Sequence, residues 1–324
     1  MKAITREEYG GPEVLRLSTV AQPEPKATEV RIKVKAAGFN PMDRHIMRGL
    51  LPIRPQLGLF KPKRQGLGVD VAGVIDKVGE QVTDYQVGDA VFGATEAING
   101  FAEYCVLEPG RMAIKPEGLS FEAVAALPIA ANTALESLQV LGKVQPGATL
   151  LINGASGGVG TYMVQLARNM GMQVTGVCST ANLEMVKSLG AHEVIDYTKE
   201  DWTKSGKTYD YILSNIGNHS MSTYKKLLNP GGTCLVIGMI PISLKRLFGA
   251  MFAGMFLSKF SDKTLKVLTT NVNAKNLAEL ARMQEEGALV SQIEQRYTLD
   301  SIPQAMQHLE SNRVKGKLVA LIDE

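Results

Sequence analysis

The run Asn153-Gly154-Ala155-Ser156-Gly157-Gly158-Val159-Gly160 constrains this chain more than any other feature. It follows the apolar run ATLLIN (148–153) and opens the helical pattern VGTYMVQLARNMG, so its glycines sit where a buried strand turns into a helix. Gly154, Gly157 and Gly160 have GxxGxxG spacing. Such a turn needs positive φ, close backbone approach to a ligand and tight packing of helix on strand. The first N–H groups of the helix have no partner within it, so they offer a cradle for a pyrophosphate. An ordinary tight turn is the bland alternative; the strand before and the helix after favour cofactor binding by residues 154–160.

The rest of the chain supplies the matching architecture. Strand-like pieces recur at QVTGVC (173–178), HEVIDY (192–197), YDYILSN (209–215) and TCLVIG (233–238), with LKVLTT (265–270) as a sixth. Helical patterns lie between them, NLEMVKSLG and MSTYKKLLNPGG among them, each closing at glycine. This alternation predicts an α/β class with a doubly wound parallel sheet. Residues 1–122 read differently, as short β-branched runs such as EVRIKVKAAG and VAGVIDKVG bounded by glycine and proline, which suits a β-rich, barrel-like unit. The plan expected is a β-rich domain from 1–122 and 272–324, interrupted by a nucleotide domain at 123–271. A length of 324 residues agrees with about two domains of roughly 100–200 residues each.

Composition excludes several function classes. Lys and Arg number 35 against 32 Asp and Glu, a net charge of +3 that is too mild and too evenly spread for a nucleic-acid surface. Cys105, Cys178 and Cys234 form no CxxC pair, which suits a reducing cytoplasm. The start, MKAITREEYGGPEVL, lacks the apolar core of a signal peptide. LFGAMFAGMFL (247–257) is too short to span a bilayer. No membrane partner is expected, and the Met- and Phe-rich stretch 247–260 reads as a substrate cap or a subunit contact.

The choice of cofactor can be read after the second strand of the nucleotide domain. An NAD-specific domain carries Asp or Glu there to accept from the ribose 2′-OH. This chain has Cys178-Ser179-Thr180-Ala181-Asn182. A 2′-phosphate is not repelled, and Ser179, Thr180 and Asn182 can donate to it, so NADPH is favoured. The same residues can also cap the next helix. The loop holds no Arg or Lys, so the cation for the phosphate must come from elsewhere.

Read together, YGGPEVL (9–15), AAGFNPMDRHIMRG (36–49), GVDVAGVIDKVG (68–79), VGDAVFG (87–93), AALPIAANTA (125–134), the GASGGVG turn, GAHEVIDY and the closing GKLV carry a resemblance across essentially the whole chain. The sequence resembles the medium-chain dehydrogenase/reductase superfamily, in its zinc-free, ζ-crystallin-like quinone oxidoreductase branch. The resemblance implies a GroES-like catalytic domain joined to a Rossmann domain, and a homodimer. It implies that Asn40 and Asp43 face the nicotinamide, that Thr133 contacts its ribose and amide, and that Ser179 and Tyr197 hold the 2′-phosphate, with Ala181 where Arg or Lys is common. Gly217 and Gly238 complete the expected cofactor set. Lys317 is similar to the family's C-terminal cation near the cofactor, so Lys317→Ala is expected to narrow the preference for NADPH and leave the fold intact.

No metal is expected. The zinc-dependent branch has Cys where this chain has Asn40, and a Gly-His-Glu block near Gly68-Val69-Asp70. The four histidines, His45, His192, His219 and His308, join no thiol at ligand spacing. His45 is either a proton donor to substrate oxygen or a surface helix residue. Asn40 and Asp43 can equally be turn residues before a helix. The activity expected is hydride transfer from NADPH to a quinone or another α,β-unsaturated carbonyl. The alternatives are an alkenal/enone double-bond reductase and a crystallin-like NADPH binder without turnover.

Overall fold

The protein is described by a computed structural model that covers residues 1–51, 54–239 and 243–322. In chain order its strands are β1 (Lys2–Thr5), β2 (Arg16–Thr19), β3 (Val30–Gly38), β4 (Asp70–Val78), β5 (Ala90–Ala94), β6 (Tyr104–Leu107), β7 (Met112–Ile114), β8 (Thr149–Asn153), β9 (Gln173–Cys178), β10 (Glu193–Asp196), β11 (Tyr209–Ser214), β12 (Leu228–Val236), β13 (Thr264–Val267), β14 (Ile293–Thr298) and β15 (Lys317–Leu321). The helices are α1 (Pro41–Arg48), α2 (Arg54–Leu57), α3 (Phe121–Ala125), α4 (Pro128–Val140), α5 (Gly158–Asn169), α6 (Leu183–Ser188), α7 (Met221–Lys226), α8 (Leu244–Lys259), α9 (Ala274–Glu285) and α10 (Ile302–Glu310). These elements fall into two compact units, Met1–Asn132 with Val272–Glu324, and Thr133–Asn271. The division lies within α4, later than the change of sequence texture near residue 123.

The first unit is β-rich. Its main sheet runs β14-β15-β3-β4-β5-β7, with β6 also paired to β3, and β1 and β2 form a separate pair. Along β3, buried Val30, Ile32 and Val34 alternate with half-buried Arg31, Lys33 and Lys35, the pattern of a strand with one face on the core. The strand then ends in the small, fully buried Ala36-Ala37-Gly38, over which α3 packs. Gly38 pairs with Asp70 on β4 and with Val319 on β15. That register brings residues 38–40, 70 and 317–319 to one end of three adjacent strands.

The second unit has six strands in the order β10-β9-β8-β11-β12-β13, all parallel. Leu150, Leu151, Ile152, Val174, Ile212 and Leu213 are fully buried, as expected for parallel strands covered on both faces. The order reverses between β8 and β11, and ligands of such sheets bind beyond the carboxyl ends of the strands at that point. The glycine-rich turn follows β8 there. The sequence pattern carried the helix after Met221 up to Gly232, but α7 stops at Lys226 and β12 begins at Leu228. Pro230 disfavours helical geometry at Asn229, and the irregular register between Tyr209 and Tyr211 on β11 absorbs the Asn229-Pro230-Gly231-Gly232 segment.

Within the turn, Gly154 has φ +86°. A Cβ on Gly160 would lie 2.1 Å from the Gly154 carbonyl oxygen, whereas one on Gly157 would meet only that oxygen, at 3.7 Å. Gly160 is therefore required by the protein's own packing, and Gly157 leaves open space at the start of α5. Gly160→Ala should lower the unfolding free energy by about 1–3 kcal/mol in urea titration of the full chain. Gly157→Ala, whose backbone is extended, should leave it nearly unchanged.

Candidate active site

The convergence of β3, β4 and β15 builds a buried polar cluster in the first unit. The Lys317 ammonium donates to the Phe39 carbonyl at 2.7 Å, to Asn40 Oδ1 at 2.7 Å and to Asp70 Oδ2 at 3.5 Å. Asn40 Nδ2 donates to Asp70 Oδ2 at 2.8 Å. The Asp70 carboxylate also accepts the N–H of Ile129 in the first turn of α4, where the helix dipole favours negative charge. All three side chains are essentially inaccessible to solvent. Burial pushes the Asp70 carboxyl up and the Lys317 ammonium down, and each opposes the other's shift by attraction. The Asn40 carboxamide is thus gripped at both ends, its oxygen by a cation and its nitrogen by a carboxylate.

Asn40 is also the residue at which α1 begins. Its backbone is extended, and Pro41 follows, where the missing N–H costs nothing. The Asp43 carboxylate accepts the Asn40 N–H at 2.7 Å, and the Asp43 N–H reaches the Asn40 carbonyl. Asp43 is fully buried, and its Oδ1 has no hydrogen-bond partner among the described residues. Burial, with Asp70 nearby, raises its carboxyl to about 7. The structure gives Asp43 a helix-starting role. Burial, with Arg44 alongside, lowers the His45 imidazole to about 4. The lowered value disfavours an imidazolium there at neutral pH, and of the two readings of His45 the surface one is modified, since the ring is half-buried on α1.

In the second unit the structure gathers several of the residues expected to bind cofactor. Asn182 Nδ2 donates to Ser156 Oγ at 3.1 Å and to Ser179 Oγ at 3.3 Å, linking the turn after β8 to the loop after β9. Gly158, Val159 and Gly160 form the first turn of α5, with Ala155 buried before them. Gly217 follows β11 and donates its N–H to Ser214 Oγ; a Cβ on it would lie 2.4 Å from the Gly238 carbonyl after β12. Thr133 shares a hydroxyl contact with Thr270 at 2.9 Å. Tyr197 is 58% exposed beyond β10.

Two assignments change. Thr180 donates its hydroxyl to Asp196 Oδ2 at 2.5 Å, so it is committed to a carboxylate of the next strand instead of being free for a phosphate. Hydrogen bonds from Thr180 and Thr198 hold Asp196 ionised, its carboxyl lowered to about 2. Lys317 lies inside the first unit with its three donors on three oxygens, so it is not an available cation for a 2′-phosphate. Lys199, exposed and 3.6 Å from Asp196, is a cation linked to the loop through that carboxylate. Residues 178–182 carry no carboxylate of their own, and only the pairing of β10 with β9, which sets Asp196 beside Cys178, brings one to the loop.

Known proteins share this arrangement of units. The family model for zinc-binding dehydrogenases matches residues 189–319, and that for the alcohol dehydrogenase GroES-like domain matches residues 26–134. A quinone oxidoreductase from Homo sapiens is 32% identical over 99% of this chain and 98% of its own. The chain belongs to the medium-chain dehydrogenase/reductases, in their quinone oxidoreductase branch. It is an oxidoreductase of that type. A 2-methylene-furan-3-one reductase from Solanum lycopersicum is 34% identical over 98% of this chain and 78% of its own. The solved quinone oxidoreductase from Coxiella burnetii superposes with a TM-score of 0.89 at 29% identity, covering 100% of this chain and 99% of its own.

The wider family includes zinc enzymes, and the residues present do not fit that metal. Zinc takes thiolate, imidazole and carboxylate ligands in close tetrahedral array. An ammonium sits against Asn40 and Asp70, and among the described residues no three His, Cys, Asp or Glu side chains are placed to hold an ion. Burial raises all three thiols, so they resist becoming the thiolates a metal needs. The turn at Gly154–Gly160, by contrast, fits a dinucleotide pyrophosphate: α5 starts at an open glycine with no side chain capping its first N–H groups.

Breaking the buried cluster should be costly. Lys317→Met strands Asp70 and should reduce stability by about 3–5 kcal/mol in urea unfolding, correcting the expectation that removing this lysine spares the fold. Asp43 should make stability depend on pH with a definite sign. Its folded pKa of about 7 lies above the ordinary 3.8, so the folded state binds the extra proton and stability falls as pH rises through that window. Asp43→Asn should gain on the parent progressively from pH 4 to pH 7, and unfolding midpoints measured across that range check it.

Proposed function

We propose that the chain transfers hydride from NADPH to a quinone or another α,β-unsaturated carbonyl, without a metal, as a cytoplasmic homodimer. The observation that carries this reading is the open glycine turn at the switch point of the parallel sheet, in a chain whose Asn40 is fixed by an ammonium instead of a metal. Reduced nicotinamide supplies the hydride when bound. The chain's residues then have separable tasks. Gly154–Gly160 and the first N–H groups of α5 hold the pyrophosphate. Ser179 faces the adenosine end, joined to the turn through Asn182 and Ser156. Asn40 Nδ2 keeps a second N–H after serving Asp70, a neutral donor for charge growing on the acceptor oxygen. Solvent is the proton source in this reading, and the lowered basicity of His45 supports it over the imidazole. The outer edge of β13, which among the described residues pairs with β12 alone, leaves backbone groups for a second subunit.

An enone double bond is the second acceptor considered, and the similarity to the tomato reductase favours including it. A panel of quinones, enones and alkenals, followed by loss of NADPH absorbance, decides between them. Tight binding without turnover across the panel would mark the chain as a cofactor binder only. NADPH should bind at least about tenfold tighter than NADH, roughly 1.4 kcal/mol. Ser179 and Lys199 support that preference, and the ionised Asp196 restrains it. In titrations of cofactor binding, Asp196→Asn should therefore widen the ratio, and Ser179→Asp should reverse it. A parent protein that binds both equally would contradict the loop argument.

A further inference from the structure

Helix α8 turns an uninterrupted apolar face to solvent. At 3.6 residues per turn, Phe248, Met251, Phe252, Met255 and Phe256 share one arc, and each is between 49% and 65% exposed. Leu244 begins the arc and Phe260 lies just past its end, also exposed. The opposite side is what attaches the helix to its unit. Ala250, Ala253 and Leu257 pack on the core cluster, and buried Gly254 lies against the backbone of Leu265 on β13. The outward direction of the phenylalanines is therefore fixed by packing of the small residues beneath them. A surface helix ordinarily shows the reverse pattern, polar outward, and an apolar patch of this kind marks an interaction surface.

Charge identifies the occupant. Lys245 and Lys259 are exposed at the two ends of the same arc, roughly 21 Å apart along the axis. Lys266 is exposed on the neighbouring strand. Between residues 243 and 272 the only acidic residue is Asp262, whose carboxylate accepts the Gly231 N–H. Two copies of α8 packed face to face would set lysine against lysine: Lys245 meets Lys259 in an antiparallel pair and its own copy in a parallel one. No carboxylate on the arc relieves that repulsion. An anionic lipid surface meets every requirement, because phenylalanine and methionine enter the acyl boundary while the terminal lysines reach headgroups.

We propose that α8 lies in the plane of a membrane carrying anionic lipids and docks the protein there. It does not span the bilayer, since none of the described helices is long and apolar enough. A membrane-docked α8 departs from the expectations in the sequence that the stretch is a substrate cap or a subunit contact and that the protein has no membrane partner; the lysines framing the exposed arc are the reason. Membrane docking stands independently of the reductase reading, because vesicle binding is measured without turnover.

The test is flotation of the full chain with vesicles of phosphatidylcholine plus phosphatidylglycerol, against vesicles of phosphatidylcholine alone. The protein should float with the anionic vesicles and stay behind with the neutral ones. The Phe252→Glu, Phe256→Glu double variant should abolish flotation with its thermal unfolding unchanged. Lys245→Gln with Lys259→Gln should lower partitioning roughly thirtyfold at low salt. Failure of the parent to float, or equal flotation on both vesicles, would overturn the proposal. So would a fall in solution mass caused by the phenylalanine variants, which would assign the face to a second copy.

Discussion

A single ammonium inside the first unit organises more of this protein than any other group. Lys317 takes the Phe39 carbonyl, Asn40 and Asp70 as its acceptors. Removing a charge from water is expensive, and several well-placed oxygens are needed to offset it. Those oxygens arrive only if β15, β3 and β4 pair as they do, since Gly38 faces both Val319 and Asp70. A shift of one residue in any of the three strands would turn its side chains to the opposite face and leave the ammonium without partners. The starting point of α1 follows as well, because Asn40 opens that helix while its carboxamide is held in the cluster.

The second unit solves a different electrostatic problem. Its glycine turn presents N–H groups suited to an anion, while the loop beside it is tied by Thr180 to a carboxylate held ionised at neutral pH. Asp196 sits at the end of β10, paired in register with Cys178 at the end of β9. The loop therefore carries a negative neighbour even though its own sequence is neutral, with Lys199 across from it. Selectivity at such a place is a balance of nearby charges, none of which needs to belong to the five residues that first suggest it.

Much of this was legible from sequence because it is local. The parallel strands were visible as short apolar runs, and the turn as glycines at fixed spacing between a strand and a helix. Their periodicities arise from neighbouring residues. Pro230 shows where local reading fails: the glycines after α7 look like a helix end, yet they belong to a strand whose register shifts to accommodate them. The roles of Lys317 and Asp196 were out of reach for a further reason. A lysine in GKLV looks like a surface cation until β15 is placed beside β3, and nothing near residue 317 announces Asp70. Burial was equally invisible at His45, where residue type left a proton donor and a surface residue open and the surroundings disfavour the charged ring.

The second unit is inserted in the first, and this has a consequence for the order in which the chain can fold. Every strand of the six-stranded sheet lies within residues 149–267, so all its partners have been synthesised before residue 272 is added. The first unit has no such independence. Its central strand β3 waits for β15, and the bond from Lys317 to Asn40 spans 277 residues of chain. Until β15 is made, residues 36–38 of β3 lack that partner strand, and the Asp70 carboxylate, already within reach of Asn40 and Ile129, lacks its cation. An early stop anywhere in β15 would release a chain with one finished half and one open sheet edge, the kind of species that quality-control systems meet as aggregation-prone.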